Sequence, residues 1–225
     1  DFGEIDRLAS IVKPHIGVIT NIGVAHMESL GSREGIFQAK MEIAKHIAGD
    51  DELPGTLIYA SDSEFLTKER TKGNYDQISV GEKGKDDYII SSVDDFGMDG
   101  IKFTLEHAQK VRQISLPLPG RHNAINSALA VAVGDLLGIS PEEETDGLAA
   151  ADLTGNRLKR RENGSICVID DTYNASPDSM KSALRVLEHS RCDGKKIAIL
   201  GDMYELGEDS DRQHFGVGLF AGGLK

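Results

Sequence analysis

Cysteine, net positive charge and long apolar runs are what this sequence has least of. Two cysteines in 225 residues, Cys167 and Cys192, leave no disulfide framework to read, and a reducing compartment, the cytoplasm, is the expected location. Cys167 lies in the apolar run ICVID and reads as a small buried hydrophobe. Lys and Arg number 25 against 37 Asp and Glu, a formal net charge of -12. That balance speaks against non-specific binding to nucleic acid or to an anionic membrane surface. It leaves room for an anionic substrate held in a local cationic pocket. No apolar run reaches the roughly 20 residues of a membrane-spanning helix, and no signal peptide is recognisable. The first residue is Asp1, so the chain is expected to be a piece of something longer.

What is present is an alternation of strand-like and helix-like segments. Residues 15–24, HIGVITNIGV, read as a buried strand, and a helix follows with Ser32 as N-cap and Glu34 in its first turn. Residues 56–60 read as a second strand and 63–72 as a polar helix. From 75 to 118, short alternating runs separated by Asp/Gly turns suggest antiparallel hairpins. A helix is expected from about 122, with Ile125, Leu129, Val133 and Leu136 at helical spacing and Gly138 closing it. Pro141 opens another. The polar stretch 152–160 is the candidate domain boundary, dividing the chain into 1–153 and 154–225. Beyond it, strand (SICVIDD), helix (177–188), strand (KKIAILGD) and helix (from about 210) predict a parallel sheet.

Lys40 stands out because of where it falls. Ile36, Ile43 and Ile47 lie within roughly 20° of one line on a helix, and Lys40 lies on nearly the same line. A long side chain can pack its stem and release its amine to water. Otherwise a buried ammonium costs several kcal/mol unless it is paired or chemically changed. His26 sits fourteen positions upstream, at the expected carboxyl end of a strand, where open α/β sheets bind ligands. Glu28 and Ser32 lie between them. His26 reads either as a satisfied turn histidine or, with a carboxylate and a modified Lys40, as part of a metal site.

Three further stretches carry chemistry. In GRHNAIN (120–126), Asn123 and Asn126 are helix neighbours away from the centre of the apolar stripe. Their amides offer donor and acceptor together, as an adenine edge requires, or they simply cap the helix. In GNRLKRRENGSICVIDDTYNASPDSM (155–180), Asp170 and Asp171 end a strand, and Ser176, Pro177 and Asp178 suit a helix start. The third is the strand-then-acid turn ILGDMYELGEDSDRQH (199–214), where Asp202 and Glu205 read as turn acids without an assigned role.

These stretches, above all VITNIGVAHMESLGSREGIFQAKMEI, resemble the Mur ligases, the ATP-dependent amide-forming enzymes of peptidoglycan precursor synthesis. The wording of DTYNASPDSM and LGDMYELGE is similar to the branch that joins D-alanyl-D-alanine to UDP-N-acetylmuramoyl-tripeptide. The resemblance implies a central ATPase-like α/β domain with an antiparallel β insertion, then a partial Rossmann-like C-terminal domain. It implies that Lys40 becomes a carbamate, an oxygen ligand for Mg²⁺ beside His26. It implies that Asn123 and Asn126 hold the adenine of ATP, and that Arg157 and Asp171 reach its ribose and phosphates. The reaction implied passes through an acyl phosphate that the dipeptide amine attacks. The chain is expected to act as a monomer, without nucleic acid and without a membrane span.

No G-x-x-x-x-G-K-[ST] loop is present; GEKGKDDY (81–88) lacks that spacing. In the family the phosphate loop precedes the region matching Asp1, so this piece alone is expected to be inactive. Two alternatives stay open: a folylpolyglutamate synthetase-like ligase, which shares the architecture, and a non-catalytic nucleotide-binding remnant.

Overall fold

The computed structural model describes residues 1–24, 27–153 and 155–224. The first helix, α1 (Glu4–Val12), leads to strand β1 (Ile16–Ile19). A single turn α2 (Met27–Leu30) and helix α3 (Arg33–Met41) follow. Ser32 caps α3 as the sequence predicts, its Oγ accepting Gly35 N–H at 3.0 Å. The apolar stripe does not continue as one α-helix to Ile47. The chain tightens into a 3₁₀ turn over Glu42–His46, which still leaves Ile36 and Ile47 buried.

Strands β2 (Thr56–Ala60), β3 (Asp76–Gly81), β4 (Tyr88–Asp95), β5 (Ile101–His107) and β6 (Lys110–Leu116) complete a six-stranded sheet in simple sequential order. β1 to β4 pair in parallel, and β4, β5 and β6 pair antiparallel. The hairpin reading of 75–118 therefore holds only from β4 onward. β3 belongs to the parallel half, and β3 meets β4 through Val80 with Tyr88 and Gly81 with Ile89 alone.

The segment 63–72 is not a helix. It runs as successive turns. Ser63 Oγ accepts Phe65 N–H, and Thr67 Oγ1 accepts Arg70 N–H while Thr71 Oγ1 donates to the Thr67 carbonyl. Hydroxyls that bond the nearby backbone compete with a helix in this way. The fully buried Leu66 then pins the turns to the core.

Helix α4 (His122–Leu136) crosses β2 to β5. Its buried Ala124, Ala128 and Ala132 let it approach the sheet closely, over Ile58, Val80, Phe103 and Leu105. Gly138 follows in the left-handed conformation (φ 71°), as a helix stop requires. α5 (Pro141–Ala149) starts with a capping box between Ser140 and Glu143.

The C-terminal part contains β7 (Lys159–Asn163), β8 (Ile166–Asp170), α6 (Pro177–His189) and α7 (Ser210–Gly222). Both helices are where the sequence places them. The parallel sheet is not formed. β7 and β8 make an antiparallel pair, and 195–202 joins no ladder among the described residues. Ile197 and Ile199 are 73% and 95% exposed, because a strand is stabilised by partners on its edge and a layer on its face, and here 195–202 has neither. Cys167, although its strand pairs with β7, is exposed because among the described residues no layer covers that strand's face, against the expectation of burial.

The carboxylate of Glu42 ties α1 to the body. It is 6% exposed and accepts Gly3 N–H at 2.8 Å and Asp6 N–H at 3.1 Å, satisfying donors that a helix start leaves open. Replacing Glu42 by Ala strands these donors and should lower stability by about 1–3 kcal/mol in urea unfolding, with Glu42→Gln losing less. Equal stability of E42A and wild type would show that α1 is held by other contacts.

Candidate functional site

The carboxyl ends of parallel strands form one edge of the sheet, and the residues after them are brought together there. Asn21 follows β1, Ser61 and Asp62 follow β2, and Glu82 and Lys83 follow β3. Lys40, in the last turn of α3, bends its side chain toward this edge. Its Nζ donates to the main-chain oxygen of Asn21 at 2.8 Å and to Asn21 Oδ1 at 3.3 Å. The side chain is half-buried, and burial pushes its ammonium below the usual lysine range. The amine is therefore not released to water as a snorkelling lysine would be. His26 lies outside the described residues.

Neighbouring side chains hold this corner. Arg33 Nη2 donates to the Ile22 carbonyl at 3.0 Å, and its guanidinium lies 4.7 Å from the Phe65 ring. Arg70 bonds both oxygens of Glu34 and stacks at 4.4 Å on Phe37. Burial raises the Asp62 carboxyl above its ordinary range. Sequence reasoning passed over Asn21, Arg33 and Asp62. The available signal was their position directly after a strand or at a helix start; no local pattern distinguishes them from ordinary turn residues.

At the start of α4, Gly120 takes φ 93° and lets the His122 ring fold against it. Asn123 is buried at 5% exposure and its Nδ2 donates to the Pro119 carbonyl at 2.8 Å. Its Oδ1 accepts from Asn126 Nδ2 at 3.2 Å. The two amides thus form a linked pair, Asn123 anchored inside and Asn126 exposed.

Across from them, Asp171 at the end of β8 accepts Leu158 N–H at 3.1 Å. Burial raises its pKa, opposed by the Leu158 N–H and the charges of Arg157 and His122. His122 keeps an exposed side, yet burial lowers its pKa, opposed by the carboxylates of Asp171 and Asp95. Asp171 therefore shares one electrostatic neighbourhood with His122 at the start of α4, and Arg157 lies beside Asp171. The Arg157 guanidinium lies over the Tyr173 ring at 4.4 Å, so it is not a free linker charge.

Polar contacts hold the C-terminal part against the first. His189 Nδ1 meets Asp95 Oδ2 at 3.1 Å, and Ser190 Oγ accepts Met98 N–H at 3.1 Å. Glu28 N–H donates to the Glu205 carbonyl at 3.3 Å. A Cβ on Gly23 would stand 3.6 Å from Asp178 Oδ2, so the start of α6 faces the same corner as Lys40 and Asn21.

Comparison with known proteins places the fold. The family model described as the Mur ligase middle domain matches residues 1–134, and the one described as the Mur ligase, glutamate ligase domain matches 156–221. The chain belongs to the Mur ligase family. Within it, a UDP-N-acetylmuramoyl-tripeptide--D-alanyl-D-alanine ligase of Bacillus subtilis is 38% identical over 216 residues, 94% of this chain and 44% of that protein. The ligase of the same name in Mycobacterium leprae is 33% identical, over 97% and 46%. The crystal structure of MurF from Acinetobacter baumannii superposes with a TM-score of 0.86 at 35% identity, covering 96% of this chain and 46% of that one. MurF of Thermotoga maritima in complex with ADP gives 0.84 at 29%, covering 100% and 50%. The chain thus spans about half the length of the relatives it matches. A folylpolyglutamate synthetase mutant of L. casei shares the fold alone, with a TM-score of 0.65 at 16% identity.

His214 offers a test of how the 201–207 loop is held. Its Nδ1 bonds the Ser210 carbonyl at 2.8 Å and its Nε2 meets Asp202 Oδ1 at 2.6 Å, and these raise its pKa above 6.5. A raised folded-state pKa stabilises fully below the unfolded value and is lost as pH rises through the folded one. The stability difference between wild type and His214→Ala should be largest below about pH 6.5 and shrink above it. A difference independent of pH would remove the charge from the explanation.

Proposed function

We propose that this chain is the middle portion of an ATP-dependent ligase that adds D-alanyl-D-alanine to UDP-N-acetylmuramoyl-tripeptide in peptidoglycan precursor synthesis. Residues 1–153 form the central ATP-binding domain without its phosphate loop, and 154–225 the first half of the C-terminal domain. The observation that carries this reading is the Lys40 amine turned onto Asn21 at the carboxyl edge of the parallel sheet, with Asn123, Asn126, Arg157 and Asp171 gathered around the start of α4. The names shared by the relatives point the same way.

A bare ammonium is no metal ligand, and no group of three or more His, Cys, Asp or Glu side chains is arranged to hold an ion among the described residues. The donor set fits Mg²⁺ once Lys40 carries a carbamate, which supplies the oxygens a hard cation prefers, with His26 as the companion ligand. Bound there, Mg²⁺ would neutralise charge on the phosphates as the tripeptide carboxylate takes the γ-phosphoryl group. The residues of this chain orient and enclose. Asn126, braced by Asn123, presents its amide to the adenine edge. Asp171 and Arg157 meet the ribose and phosphates from the other side. The Asp95–His189 and Met98–Ser190 contacts hold the two sides together so that water is excluded while the dipeptide amine attacks the acyl phosphate and expels phosphate. The reading includes a cytoplasmic, monomeric working protein, in line with its sparse cysteines. No described helix is long and apolar enough to cross a membrane.

Two measurements test this. Purified chain given ATP, Mg²⁺ and both substrates should release phosphate only at background, since the sequence has no phosphate loop; turnover would show that the phosphate site lies within it. A hybrid in which this chain replaces the matching stretch of the Bacillus subtilis ligase should consume ATP only when both the tripeptide precursor and D-alanyl-D-alanine are present. Lys40→Ala in that hybrid should lower kcat by about 100-fold or more. Activity with folate and glutamate instead would favour the synthetase reading.

A further inference from the structure

We propose that Asn21 is a positioning residue that holds the Lys40 nitrogen in both of its chemical states, ammonium and carbamate. The inference rests on the carbamate reading above and adds the group that makes that chemistry possible at this corner.

Lys40 Nζ is held by two acceptors of one residue, the Asn21 carbonyl at 2.8 Å and Asn21 Oδ1 at 3.3 Å. An ammonium has three N–H donors and fills both acceptors. A carbamate nitrogen retains one N–H, and the nearer, main-chain oxygen suits it. The side-chain oxygen would then face a new carbamate oxygen, acceptor against acceptor. A half-turn of the planar amide exchanges Oδ1 for Nδ2 and replaces that conflict with a donated hydrogen bond. The surroundings permit the turn. Asn21 is exposed, and its Nδ2 lies toward Gly23, 3.7 Å from where a Cβ would stand. Arg33 fixes the adjoining Ile22 carbonyl at 3.0 Å, so the main-chain acceptor keeps its place while the side chain turns. An aspartate here would match the ammonium and repel the carbamate, being acceptor-only and negative.

The chemical step balances with carbon dioxide as the one co-reactant. The ammonium gives a proton to water, the nitrogen lone pair forms the N–C bond, and one C=O pair moves onto oxygen. The second proton then leaves nitrogen to water, so that R–NH3⁺ and CO2 yield R–NH–CO2⁻ and two protons. Nothing is oxidised or reduced.

The test uses the chain as it is, in ¹³C-bicarbonate and Mg²⁺, with the carbamate carbon read by NMR and Lys40→Gln as the blank. Wild type should show the signal. Asn21→Asp, which keeps the side-chain shape, should lower it by about tenfold or more, and Asn21→Ala should lower it too. Because the aspartate is isosteric, a purely structural role would leave its signal intact. If Asn21→Asp does not fold, Asn21→Ala decides alone. Wild-type intensity in the folded variants overturns the role of Asn21. A wild type without signal overturns the carbamate reading itself, a separate result.

Discussion

An ammonium on the inward side of a helix must find acceptors or change its chemistry, and this constraint organises the sheet's carboxyl edge. Lys40 meets it by bending back to Asn21. That solution depends on the loop after β1 standing still, which is why Arg33 bonds the Ile22 carbonyl and packs on Phe65. The turns of 63–72, irregular as they are, exist to bring Phe65 and Arg70 to this corner. The edge is thus a chain of supports in which a small polar residue bears the charge, Arg33 holds the carbonyl beside that residue, and Arg70 ties down α3 through Glu34, both guanidiniums lying against aromatic faces.

A second constraint is the joint between the two parts. Few apolar side chains cross it; Val186, fully buried beside Gly120, is one. The rest is polar: Asp95 with His189, Ser190 with Met98, Glu28 with Glu205. A joint of this kind sets orientation without the large buried area of a core, and it suits parts that move relative to each other. The residues proposed above to hold one nucleotide arise on both sides of it, so in that proposal the site's geometry is the joint's geometry. Asp171 and His122 face each other across the joint: burial is the main influence on each pKa, and the charge of the partner opposes it.

Much of the fold was legible because it is local. Ser32, Ser140 and Ser176 all cap helices, with Pro141 and Pro177 at first helical positions, and the motifs around Lys40, Asn123 and Asp171 carried the family resemblance. What misled was local as well. KKIAILGD has the composition of a buried strand but, among the described residues, no strand beside it, so it stays unpaired with its isoleucines in solvent. ICVID pairs with β7 yet has no layer over its face, and Cys167 is exposed. Composition reports what a segment is able to bury, and only the neighbours decide whether it does so.

The sequence by itself therefore determined the α/β class, the capped starts of α3, α5 and α6, the family and the short set of residues worth suspecting, because capping, periodicity and motif wording are properties of contiguous residues. Tertiary structure alone decided that β3 joins the parallel half, that Asn21 and Arg33 stand at the Lys40 corner, and that Asp171 lies near His122 at the start of the helix bearing the paired amides. Those facts are distances between residues far apart in the chain, and no contiguous stretch encodes them.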